Sequence, residues 1–147
     1  MIYLFRLAHL LHRLKVPLLP YLIYVINRIV FSVVLPPSVR VGRDVTFGYH
    51  GLATVVHARA IIGNRVTIAH GVTVGGRSGL AEVPIIEDDV QVGAGACILG
   101  PVRIGAGARI GANAIVVKDV PPGGVCVAAP GQVRAGKSDS ENAGTSD

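Results

Sequence analysis

Tryptophan is absent from this chain, and aromatic residues make up only 5% of it. A surface that stacks nucleic-acid bases needs aromatic faces, so nucleic acid is not an expected partner. Cysteine is scarce as well. Cys97 and Cys126 make no metal or redox motif, so no metal site is expected and the chain reads as cytoplasmic and reduced. Cys97 falls inside the repeat described below and reads as a small apolar filler. Charged residues are only 16% of the 147, too few for a charge-driven disordered chain, and the length suits one domain. The net charge of +5 points to an anionic ligand or surface without choosing among them.

Glycine and a periodic apolar pattern are what the chain has in excess. From Ile62 to Pro121 an aliphatic residue returns every sixth place, as Ile62, Ile68, Val74, Leu80, Ile86, Val92, Ile98, Ile104, Ile110 and Val116. Four places later comes a second small apolar residue, as at Val66, Val72, Val90, Ala96, Val102 and Ala108. A helix repeats near 3.6 and a lone strand near 2, so neither accounts for a period of six. Short strands joined by corners, three to a turn, do account for it, each coil stacking about 4.8 Å from the last. The aliphatic residue and the one four places on point into a narrow prism. The residue just after the aliphatic, often glycine as at Gly63, Gly93 and Gly105, is expected to turn the corner at positive φ. The predicted fold is all-β, a left-handed parallel β-helix of hexapeptide repeats with a short α-helical N-terminal segment.

Three regions follow. Residues 1–37 are apolar and basic, and no acidic residue occurs in 1–35. Pro17, Pro20, Asn27 and Arg28 interrupt any spanning run, and the pattern predicts two helices, Ile2–Lys15 and Pro20–Val33. Such a segment caps the open end of a solenoid. Its other face is expected either to contact the inner membrane surface peripherally or to pack within an assembly. Residues 38–130 form the β-helix. Residues 131–147 form a polar tail, predicted disordered.

The register slips once before the regular part. Phe47 to Ile62 is not a multiple of six, so three extra residues bulge within 48–60, and a break in a regular solenoid is a place to look for chemistry. His50 and His57 flank it. His70 lies on a strand nearby, while His9 and His12 read as polar-face residues of the first helix.

The runs VTIAHGVTVGG and VQVGAGACILGPVRIGAGARIGANAIVVKDVPPGG resemble those of the hexapeptide-repeat acyltransferases. The resemblance is to the serine acetyltransferase-like branch of polysaccharide O-acetyltransferases and covers about Val41 to Pro130. It implies acetyl-CoA as co-substrate and a homotrimer with active sites between subunits. It also implies a catalytic histidine. His50 matches the spacing in longer enzymes of the family and His57 the position used in shorter ones, so both are carried as candidates. On the cofactor side it implies Gly75, Gly76, Ala94 and Ala112 as channel-lining backbone, Lys118 near the CoA phosphates, and Arg134 near the nucleotide.

Two departures bear on the acceptor. Where the family holds an amino-acid carboxylate with an Arg-His pair, this chain has Glu82-Val83, and an acid and a valine cannot supply that charge-assisted bond. The aspartate that would pair with the histidine is also missing, its region being Val33-Val34-Leu35. The expectation is therefore acetyl transfer to a hydroxyl of a sugar or polysaccharide precursor, small or lipid-linked. Serine O-acetyltransferase is the alternative, and a zinc carbonic anhydrase-like β-helix or a non-enzymatic scaffold the readings from other classes.

Overall fold

The structure, a computed structural model, describes residues 1–131. The hexapeptide pattern becomes three parallel stacks of very short strands. The first face holds β1 (Arg40–Val41), β4 (Ile61–Ile62), β7 (Ile85–Ile86) and β10 (Arg103–Ile104). The second holds β2 (Thr46–Phe47), β5 (Thr67–Ile68), β8 (Gln91–Val92), β11 (Arg109–Ile110) and β13 (Val125–Cys126). The third holds β3 (Val55–Val56), β6 (Thr73–Gly75), β9 (Cys97–Leu99) and β12 (Ile115–Val116). Ile62, Ile68, Val74, Ile86, Val92, Ile98, Ile104, Ile110 and Val116 all point inward, as do the small residues four places on, and together they make one continuous core.

Coil lengths are unequal. Val41, Ile62, Ile86 and Ile104 are register partners, so successive coils take 21, 24 and 18 residues. Val56 pairs with Val74, which confines the first coil's three extra residues to the corner between β2 and β3. That corner is a 3-10 turn, Gly48–Gly51, with Tyr49 and His50 both left-handed. The six extra residues of the second coil lie between β6 and β7. Leu80 is therefore no core residue, contrary to the register expectation; it sits exposed in that loop. Both irregularities border the third face, one at its leading edge and one at its trailing edge.

The corner glycines also behave differently from expectation. Positive φ falls three places after the aliphatic, at Asp44, Arg65, Asp89, Gly95 and Asn113, rather than one place after. The glycine just after the aliphatic answers to coil-on-coil approach instead: a Cβ on Gly93 would lie 2.5 Å from the Ala112 nitrogen.

At the N-terminus α1 (Ile2–Arg13) and α2 (Leu19–Phe31) end about two residues earlier than predicted, with Lys15, Leu18 and Ser32 at positive φ as the chain turns. They cover the end of the solenoid. Met1 and Phe5 enter the core, Arg6 donates to the carbonyls of Val41 and Gly42, and His9 Nδ1 donates to the Pro37 carbonyl at 2.7 Å.

Candidate active site

The third face carries Val55, Thr73, Cys97 and Ile115 outward, in register, as a shallow strip between two corners. Cys97 thus stands on the outer surface and is not the interior filler expected of it; Cys126 takes an inward place against the core.

Along the leading edge the register stacks Tyr49, His70, Ala94 and Ala112 in one column. Gly95 N–H donates to the His70 carbonyl at 3.0 Å and Asn113 N–H to the Ala94 carbonyl at 2.8 Å. Tyr49 meets the His70 ring edge-on at 5.2 Å. The methyl side chains above them leave the backbone approachable, which suits an extended chain laid along the edge. Tyr49 did not emerge from the sequence because its membership depends on knowing where the three-residue bulge falls.

His50 begins this edge in the first coil. Its ring is exposed and rests on Phe31 at 5.7 Å, beside a hollow of about 350 Å³ lined by Met1, Tyr3, Thr46 and Phe47. The missing aspartate has an observable consequence: Val33 and Leu35 are buried in the core, and an aromatic contact rather than a carboxylate orients the imidazole. Among the described residues, side-chain hydrogen bonds of histidine belong to His9 and His57, and the exposed His50 ring makes none.

The trailing edge holds the other histidine. His57 N–H donates to the Val74 carbonyl, and the Gly75 carbonyl accepts from Gly100 N–H, which stacks His57, Gly75 and Leu99. A methyl on Gly76 would lie 4.0 Å from His57 Cδ2 and 3.9 Å from Val83 Cγ1, so the Gly75-Gly76 shelf sits between the imidazole and the loop. Arg59 N–H donates to His57 Nδ1 at 3.2 Å, while the Arg59 guanidinium donates to the Ala81 carbonyl of the loop. One residue, which sequence reasoning did not single out, thereby touches both the ring and the loop. The neutral ring then carries its proton on Nε2 and presents a donor there. Lys118 follows β12 at the same edge, beside a hollow of about 380 Å³ lined by Ile115, Val117, Pro121 and Val125. Arg134 and the predicted tail lie outside the described residues.

Within one chain, then, His50 and His57 occupy opposite edges of the third face, as do Ala94/Ala112 and Gly75/Gly76. The two histidines cannot join one metal shell in a single chain. The carboxylates cluster elsewhere, at the corner between the first and second faces. Asn64 donates its backbone N–H and its amide to Asp88, and Arg103 together with Ala106 N–H donates to Glu87, which holds both carboxyls below the usual range.

A solenoid of hexapeptides with small residues and histidines along the edges of one face defines a class, the hexapeptide-repeat transferases. The family profile described as "Bacterial transferase hexapeptide (six repeats)" matches residues 84–118. A serine acetyltransferase of Mycobacterium tuberculosis is 45% identical over 130 residues, 87% of this chain and 56% of that one. One from Helicobacter pylori is 37% identical over 127 residues, 85% of this chain and 74% of that one. Among solved structures, soybean serine acetyltransferase complexed with serine superposes with a TM-score of 0.80 at 40% identity, covering 86% of this chain and 53% of that chain. The chain belongs to the serine acetyltransferase family. These relatives replace the expected placement in a polysaccharide O-acetyltransferase branch. The chain spans about half the length of the Mycobacterium tuberculosis and Synechococcus elongatus relatives it matches.

Proposed function

We propose that the protein is an acetyl-CoA-dependent O-acetyltransferase with serine as its acceptor, working as a homotrimer. The observation that carries this reading is the pairing of family membership with two separated half-sites on one face. In a trimer the leading edge of one subunit meets the trailing edge of the next. Ala94 and Ala112 then line one wall of a channel, and the neighbour's Gly75-Gly76 shelf and Lys118 line the other. Lys118 is in no ion pair with a described residue, which leaves its ammonium for a CoA phosphate.

The division of labour follows from the nitrogens. His50, whose ring is exposed and hydrogen-bonded to no described residue, takes the proton of the acceptor hydroxyl as its oxygen attacks the thioester carbonyl. The C–S bond breaks, and the proton passes from His50 to the departing sulfur. His57, with Nδ1 engaged by Arg59 and Nε2–H outward, donates to the oxygen that becomes negative, together with backbone N–H groups near Gly76. Neither cysteine is used, so no covalent enzyme intermediate forms.

A second reading, a sugar hydroxyl as acceptor, is favoured by one feature: Glu82 and Val83 stand in the loop beside His57, where they offer nothing to a carboxylate. The test is release of CoA thiol from acetyl-CoA with serine, against a panel of free and lipid-linked sugars. Serine turnover supports the first reading. Turnover confined to sugars supports the second, and thiol release with neither overturns both.

A further inference from the structure

The helical hairpin covers the solenoid with one side only. On α1 the buried positions are Met1, Phe5 and Ala8, while Tyr3, Leu7, Leu10 and Leu14 return at spacings of four, three and four on the opposite side, exposed. On α2 the exposed stripe is Leu19, Leu22, Ile26 and Ile29, and Pro20, Ile23 and Asn27 are the buried ones. Tyr3 is 85% exposed, Leu14 65% and Ile29 74%. Apolar residues scattered singly over a surface need no explanation, but a stripe on each of two packed helices does.

Charge selects the occupant. The first acidic residue of the chain is Asp44, and six basic residues precede it. Arg13, Lys15 and Arg28 are exposed on the hairpin and make no ion pair with a described residue. A second copy laid on this face would bring cation against cation with no carboxylate to pair. An anionic bilayer supplies both missing complements, an acyl boundary for the stripes and phosphates for the cations. The helices have 12 and 13 residues, and among the described residues no helix is long and apolar enough to cross a membrane. The hairpin therefore lies in the interface plane rather than through it.

We propose that the outer face of the α1–α2 hairpin docks on an anionic membrane surface, Leu7, Leu10, Leu14, Leu22, Ile26 and Ile29 entering the headgroup–acyl boundary. The proposal goes beyond the acetyltransfer reading and is tested without it. The whole chain is floated with vesicles of phosphatidylcholine alone or with about 30% phosphatidylglycerol. It rises with the anionic vesicles only and is released by about 0.5 M salt. The double variant L10E/I26E partitions roughly tenfold or more less, with particle mass by light scattering unchanged. Wild-type protein left in the lower fraction with both vesicles overturns the proposal, as does equal binding to neutral ones. A variant that falls into smaller particles also overturns it, because the face then belongs between copies of the chain. If flotation succeeds while thiol release fails with every acceptor, only the acetyltransfer reading is lost.

Discussion

The backbone N–H of Arg59 points at Nδ1 of His57, 3.2 Å away, and so occupies the one lone pair that a neutral imidazole has to offer a proton. His50, on the other edge of the same face, has no such engagement. This asymmetry separates two histidines that spacing alone leaves equivalent.

His50→Ala should lower kcat by about 10²–10⁴-fold, and His50→Gln, which has no basic nitrogen, should not restore it. His57→Ala should lower kcat by about 10²-fold, and His57→Gln, which restores an N–H donor, should recover most of the loss. Turnover of the four variants reads both roles. Recovery by glutamine at 50 and not at 57 would reverse the assignment.

Mixing His50→Ala and His57→Ala subunits should raise activity well above that of either variant alone. If each site takes His50 from one chain and His57 from its neighbour, random trimers contain about a quarter intact sites. The check is turnover after the two variants are refolded together. Sites built within one chain would give no recovery.

Lys118→Ala should weaken acetyl-CoA binding several-fold, since an exposed ammonium–phosphate contact is worth about 1 kcal/mol, and leave acceptor affinity unchanged. Calorimetric titration with each ligand decides it. Equal weakening of both would mean that Lys118 supports the last coil instead.

Two glycines separate close approach from backbone strain. Gly93→Ala, whose methyl would sit 2.5 Å from the Ala112 nitrogen, should cost roughly 3 kcal/mol. Gly107→Ala meets nothing within 4 Å and has φ +70, so it should cost about 1–2 kcal/mol from the left-handed conformation alone. Denaturant midpoints of the pair measure the difference.

Acid should loosen the solenoid at its carboxylate corner. Glu87, Asp88 and Asp89 are held below the ordinary carboxylate range by Arg103, Asn64 and Arg65. A depressed folded-state value gives stability that is present above the unfolded value, about 4, and is lost as pH falls through the folded one. Thermal midpoints should be flat from neutral pH to about 5 and drop below about 4. Asp88→Asn should show a shallower drop.

The prism core was legible in the sequence because its cause is local and repeats. Each coil buries the same two positions against copies of themselves, so every inward aliphatic from Ile62 to Val116 except Leu80 could be read from spacing. Leu80 failed because a six-residue insertion keeps the period while leaving the wall, and only strand pairing distinguishes the two. Glycine was rightly placed at the corners, but its reason was a neighbouring coil about 15–25 residues away, which φ preferences do not contain. The histidines, the glycine shelf and the alanine pair were likewise found from the sequence as residues, but not as an arrangement. Whether they face one another depends on which corner absorbs each irregularity, and the hydrogen bond that sets the His57 tautomer depends on the path of two residues after it. Tertiary structure decided those matters, because a side chain's direction is fixed by the local turn and its neighbours by coil stacking, and neither is written in the six-residue period.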